Sequence, residues 1–386
     1  MAWFQGDAVR KNPNLKPETT ISKEIGAEVR LLDGRLTADV TYYDKYTRDQ
    51  IVESELSYLS NYQRVIINSG KISNKGWEIS VSGVPVKVKN FEWKTIFNWS
   101  KNNSMVESLP EGIDKIQIGS GVYNVKSYAE VGKPYGAIYA KTFKRDAEGY
   151  ILCQLDGSPK EGQDYEYLGC VQADWRGGWN NVFRLGNFSF SVMFDFQKGG
   201  KFFSQTSIQS SVDGQSVKSL EGRDADFFSR KILGESDEER YGFMRPQNAN
   251  TPTANGQIYP DWGRPKGVVL PNCRYDEDVE GLAGQQVLGY CTPERYWMHY
   301  TSRDISRFIY DASYVKLREI TVSYDLPKKW LRKTPFQTFR VAAVGRNIAT
   351  LFANTPHGLD PQATSTTGNA QGFERGFNLP SATYGF

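Results

Sequence analysis

Four cysteines, two histidines and a crowd of aromatics are the residues of this chain with chemistry to offer. Cys153, Cys170, Cys273 and Cys291 form no CxxC pair, and His299 and His357 are the only imidazoles. A zinc site and a histidine general base therefore both lack parts. The stretch YDEDVEGL sets Asp276, Asp278, Glu280 and Gly281 in the order of a calcium loop, but Val287 stands where an EF-hand needs its bidentate Glu. A solvated acidic loop is the better reading. Aromatics remain: Tyr259, Trp262, Tyr296, Trp297 and Tyr300, with Arg264 and His299 among them. Ring faces stack on sugars, so these five aromatics are candidate ligand-binding residues. The same rings also suit the packed interior of a long loop or its interface with a partner, which is the preferred reading. No Walker A, GxGxxG, HExxH or GxSxG sequence occurs. Carboxylate pairs carry no signal in a chain with 44 acidic residues. No enzyme, cofactor or metal is expected.

Composition narrows the partners. With 47 basic against 44 acidic residues the net charge is +3, which gives no basic field for nucleic acid. The mean hydropathy is −0.55 and no run of eighteen apolar residues occurs, so no membrane-spanning helix is predicted. Yet the chain holds 22 Tyr, 21 Phe and 9 Trp. A strand crosses a bilayer with ~9–11 alternating residues, a pattern that hydropathy averages away.

Alternation of this kind organises the elements. In NFSFSVMFDFQKGG, Phe188, Phe190, Val192, Phe194 and Phe196 share one parity, and Ser189, Ser191, Asp195 and Gln197 the other. Successive side chains of a strand point to opposite faces, so this segment has one bulky apolar face and one polar face. Similar patterns predict strands at about 20–32, 35–50, 74–86, 90–103, 173–185, 188–200, 308–325, 336–348 and 377–386. One of them slips. In DASYVKLREITVSYDLP the apolar set moves from Val315 and Leu317 to Ile320, Val322 and Tyr324, and a bulge near Arg318–Glu319 would restore one face. Tight connections at Asp33-Gly34, Lys89-Asn90 and Gly186-Asn187, and a short one in LPKKWLRKTPF, alternate with long ones. The longest fall at about 104–172 and 201–307, far beyond ordinary loop length. A helix is predicted within the second, over GRDADFFSRKILGESDEERYG. An antiparallel up-and-down sheet with tight turns at one end and long loops at the other has the asymmetry of an outer-membrane β-barrel. Its apolar face would meet lipid, its polar face a lumen, and Arg340 and Arg346 are lumen-facing candidates. A soluble β-sandwich is the competing architecture.

Eight segments then align in order with one family. NPNLKPE, YYDK, NSGKISNKGWEI, VGKPYGAIYA, YLGCVQADWRGGWNN, DASYVKLREITVSY, VGRNIATLF and PSATYGF together resemble the C-terminal part of SusC/RagA-type TonB-dependent outer-membrane transporters. The resemblance implies about nine strands of a larger, 22-stranded barrel, integral to the outer membrane of a Gram-negative bacterium. It implies import of oligomeric nutrients, glycans or peptides, with a SusD-like surface lipoprotein and the TonB energy-coupling complex as partners. No segment reads as a signal peptide, TonB box or plug, so the chain is expected to be a barrel fragment that transports nothing by itself. The alternative is a surface-exposed glycan-binding β-protein without transport. Export through an oxidising compartment makes disulfides plausible, and the local pairings Cys153–Cys170 and Cys273–Cys291 close the shortest loops.

Overall fold

Nine alternating segments form nine hydrogen-bonded strands of one antiparallel sheet, each beside its neighbour in sequence. The computed structural model describes residues 9–55, 62, 64–68, 70–221, 268–291, 293–356, 358–362, 371–376 and 381–385. The sheet runs β1 (Thr19–Leu31), β2 (Leu36–Arg48), β3 (Lys71–Val88), β4 (Phe91–Ser108), β5 (Trp175–Leu185), β6 (Phe188–Lys198), β7 (Tyr314–Asp325), β8 (Arg340–Ala353) and β9 (Thr383–Gly385). β1 and β2, β3 and β4, and β5 and β6 are joined by short turns at one end. Two of those turns place Asp33, Gly34 and Gly186 at positive φ, where glycine costs least. Between β7 and β8 the connection holds the helical turn Lys328–Leu331.

Register keeps the two faces chemically distinct across the sheet. Val86, Trp93, Phe183, Phe190, Val322 and Ala343 are successive cross-strand partners, as are Val40, Ile79, Trp99, Gly177, Phe196, Val315 and Phe352. On the other face one row reads Asp39, Ser80, Asn98, Gly178, Asp195, Lys316 and Thr350. The slip in β7 is resolved by a bulge: Glu319 pairs with Met193 and Leu317 with Phe194, leaving Arg318 as the extra residue. Val315, Leu317, Ile320, Val322 and Tyr324 thereby all join the apolar face, as the sequence predicts.

The apolar face is not a core. Trp77, Phe97, Trp179, Phe188 and Phe190 are between 40% and 58% exposed, and the buried hydrophobic residues lie elsewhere. A sandwich would bury this row against a second sheet; among the described residues no second sheet packs on it, and the sandwich expectation is overturned.

What the chain buries is built from the long connections. β3 and β4 are each 18 residues long, roughly 60 Å at ~3.3 Å per residue, about twice the hydrocarbon thickness. Their far ends pack Ile72 and Val106 against Val52, Ile116, Ile118 and Ala129 of the loops. The loops add a four-stranded sheet of Lys115–Ser120, Lys126–Glu130, Ala137–Ala140 and Glu166–Cys170. A three-stranded sheet combines Ile151–Cys153, Val268–Tyr275 and Gln286–Cys291. The helix Gln205–Val212, capped by the Ser204 hydroxyl, closes the main loop core with Phe143, Phe203, Phe308 and Phe373. The helix predicted over residues 222–242 lies outside the described residues.

Candidate functional site

Polar residues converge where the inner face of the sheet meets the loops. Asp195 is the one carboxylate of β6, set on the polar face by the strand alternation. It accepts hydrogen bonds from the Arg318 guanidinium and from the Tyr314 hydroxyl at 3.2 Å. The bulge aims Arg318 there; its Nη1 donates to Asn347 at 2.7 Å, and its Nη2, shared with Asp195, donates to Gln362 at 2.8 Å. Lys316, nearly fully buried, binds the Asp360 carboxylate at 2.6 and 2.7 Å and Gln362 at 2.9 Å. Gln362 in turn donates to the Tyr314 hydroxyl at 2.6 Å. A stretch of the connection after β8 is thus pinned onto the inner face of β7 by charge-assisted bonds.

Two cavities flank this network. One, of about 380 Å³, is lined by Asp39, Glu78, Ser80, Asn98, Arg176 and Asp195. The other, of about 410 Å³, is lined by Arg176, Asp195, Gln197, Lys201, Tyr314 and Gln362 among others. Arg176 and Asp195 belong to both walls, and Arg176 donates to Gln197 at 3.0 Å. Such a lining offers hydroxyl, amide and charged partners to a polar solute. Among these lining residues are no nucleophile–base pair and no thiol.

The sequence candidates fall differently. Arg340 and Arg346 lie on the polar face, each committed to a cross-strand carboxylate: Arg340 to Asp325 at 2.6 and 2.9 Å, Arg346 to Glu319 at 2.9 Å. Tyr296, Trp297 and Tyr300 are 1%, 1% and 3% exposed in the main loop core. That burial corrects their standing as ligand-stacking residues, since a buried ring has no face for a sugar. Trp297 donates instead to the Glu221 carbonyl at 3.2 Å, and the Tyr296 hydroxyl receives Arg307. Tyr259 and Trp262 lie outside the described residues. Cys153, Cys273 and Cys291 are buried in the main loop core, and Cys170, half-buried beside Tyr135, does not share the surroundings of Cys153, contrary to the local pairing. The acidic loop is held by lysines: Asp276, buried, takes Lys144 at 3.0 Å and Lys160 at 2.7 Å.

Sequence reading missed Arg176, Asp195, Lys316, Arg318 and Gln362 as one constellation. A signal existed: charged residues of polar parity near the loop ends of strands, beside a bulge. Also missed were the acceptors hidden in the apolar rows. Trp93 Nε1 donates to Asn181 Oδ1 at 3.0 Å, and Trp179 Nε1 to Thr95 Oγ1 at 2.9 Å, all on the apolar face. An indole N–H left unpaired in hydrocarbon costs several kcal/mol, and each of these is satisfied within the sheet.

An uncovered apolar outer face, a polar inner face, tight turns at one end and folded loops at the other define a transmembrane β-barrel segment. Residues 3–348 match the family described as TonB dependent receptor-like, beta-barrel, and the chain belongs to that family. It is 25% identical over 395 residues to TonB-dependent receptor P3 of Formosa agariphila, covering 97% of this chain and 33% of that protein. It is 29% identical over 104 residues to TonB-dependent receptor SusC of Bacteroides thetaiotaomicron, covering 27% of this chain and 10% of SusC. Its fold is similar to that of the RagAB peptide importer in the closed-closed state, with a TM-score of 0.59 at 17% identity, covering 93% of this chain and 34% of that one. The chain thus spans about a third of the length of P3 and of the solved importer chain.

Proposed function

We propose that this chain is barrel wall and surface-loop structure of an outer-membrane TonB-dependent active transporter. The transporter imports oligomeric nutrients, glycans or peptides, together with a SusD-like surface lipoprotein. The observation that carries the reading is the exposed apolar row of β3–β7, with its indole N–H groups satisfied inside the sheet. Water would make such a face a liability, and lipid makes it a requirement. The sheet is also open: β1 and β9 each have one strand neighbour among the described residues. Unpaired backbone groups cost several kcal/mol each in hydrocarbon, so these edges call for further strands to close the barrel. The polar inner face then lines a lumen wide enough for a plug and a solute. Passive glycan binding at the surface is the weaker reading, because Tyr296, Trp297 and Tyr300 are used up in the loop core.

Uptake separates the two. Cells dependent on the transporter's substrate should lose uptake when the TonB partner is deleted, while surface binding persists. Uptake that continues unchanged without TonB contradicts active import.

A further inference from the structure

Three of the four cysteines meet in one place, and they come from both long loops. The strand Ile151–Cys153 belongs to a small hairpin tied by the bridges Phe143 to Glu161, Arg145 to Ile151 and Cys153 to Pro159. It pairs in parallel with Val268–Tyr275, setting Ile151 beside Cys273 and Cys153 beside Tyr275. Side chains alternate along a strand, so Ile151, Cys153, Cys273 and Tyr275 share one face. All four are buried in the same core. Cys273 Sγ donates to the Leu270 carbonyl at 3.1 Å and leans across Gly289, where an added Cβ would fall 2.5 Å from the sulfur. Only glycine at 289 leaves room for that sulfur. The neighbouring Cys273 thiol, together with burial, pushes the Cys153 thiol up, and Cys291 adds to the effect. Cys170 is elsewhere, 3.5 Å from the Tyr135 carbonyl and accepting the Gln172 N–H at 3.4 Å.

We propose that Cys153 and Cys273 form a disulfide that staples the two long loops together, with Cys170 and Cys291 remaining thiols. Cys153 and Cys273 are diagonal neighbours on one face of the parallel pair, Cys153 lying two residues along from the partner of Cys273. A bridge between residues so distant in sequence restricts the unfolded chain more than either local pairing. Burial pushes the Cys291 thiol up to about 12, which keeps it from attacking the bond as a thiolate.

The oxidant is a periplasmic dithiol–disulfide carrier protein. One cysteine thiolate attacks the carrier disulfide, giving a mixed disulfide and a carrier thiolate. The second cysteine thiolate then displaces the other carrier sulfur. The S–S bond forms, the carrier disulfide becomes a dithiol, and the two cysteine protons end on it. Both thiols are buried once the core closes, so the exchange occurs during folding. The proposal rests on the outer-membrane reading, because a reducing cytosol would keep both thiols.

The test is a differential thiol map of the protein recovered from outer membranes. Trypsin places the four cysteines in four separate peptides, residues 146–160, 161–176, 267–274 and 275–295. Thiols are blocked with iodoacetamide in denaturant, then disulfides are reduced and labelled with N-ethylmaleimide. The expected result is the second label on 146–160 and 267–274, which appear cross-linked before reduction, and the first label on the other two. A bridge joining 267–274 to 275–295, or 146–160 to 161–176, or the first label on all four, overturns it. Cys291→Ser should leave the cross-link unchanged, whereas Cys153→Ser should give Cys273 the first label; loss of the cross-link in the Cys291 variant also overturns the proposal. If the protein is not in the outer membrane, the functional reading fails on its own. Refolding with glutathione disulfide then applies the same map, with the same expected pair.

Discussion

Asp276 shows why an acidic residue in a loop need not face solvent or a metal. Burial raises its pKa, but hydrogen bonds from Lys160 and Lys144 outweigh that and hold it at about 2. A carboxylate depressed below its ordinary value of ~3.9 stabilises the fold above that pH and loses the contribution as pH falls toward the folded value. Hydrogen-exchange protection of residues 268–291 should therefore be constant from pH 7 to ~4 and fall between ~4 and ~2. Asp276→Asn should lower it already at pH 7, by roughly 1–3 kcal/mol, because two ammonium groups lose their charge partner. Equal protection in variant and wild type at pH 7 contradicts this role. In the sequence Asp276 is legible only as one of a run of acids. Its partners lie 132 and 116 residues away, beyond the reach of any local pattern. The same limit hid the fate of Tyr296, Trp297 and Tyr300, whose composition suits a sugar platform and a loop core equally well.

At the scale of elements, legibility was set by period. A half-lipid, half-lumen strand must alternate, so β6 could be read directly from its phenylalanines, and even the bulge in β7 was written as a change of parity. Loop strands such as Ile151–Cys153 and Val268–Tyr275 are short and buried in a mixed core, and no periodicity separates them from coil. The bulge also carries a consequence for packing. Deleting Arg318 removes the extra residue, so that Leu317, Glu319 and Ile320 alternate without a bulge and Val315, Leu317, Ile320, Val322 and Tyr324 keep one face, whereas deleting Thr321, which is regularly paired, turns Val322 and Tyr324 to the other face. The Arg318 deletion should still give folded, surface-exposed protein and the Thr321 deletion should abolish it, measured by protease accessibility on whole cells. Arg318→Ala keeps the bulge and loses the bonds to Asp195, Asn347 and Gln362; it should still reach the surface. Normal surface levels of the Thr321 deletion, or loss of the protein on deleting Arg318 while Arg318→Ala is unaffected, contradict the assigned register.

For the whole molecule, the balance of forces is inverted relative to a water-soluble β-protein. The hydrophobic core belongs to the loops, with Phe143, Phe203, Trp297 and Phe308 fully buried, while the longest sheet leaves its aromatics uncovered. Barrel wall and folded loops are thus two kinds of structure, one with an uncovered apolar face, the other closed largely by its own packing. The barrel could be read in the wall because lipid and hydrogen bonding constrain every strand in the same way. The lumenal constellation of Asp195, Arg318, Lys316 and Gln362 could not, because it joins three separate segments through a bulge and a loop.

The central claim is that one face of this sheet meets lipid and the other water, and two adjacent residues of β6 test it. Phe190→Cys and Ser191→Cys are each made in the protein with its native cysteines replaced by serine, labelled with a bimane fluorophore and reconstituted in vesicles. The account predicts quenching at 190 by brominated acyl chains and at 191 by aqueous iodide. Quenching of both by iodide alone, or the reverse assignment, would contradict it.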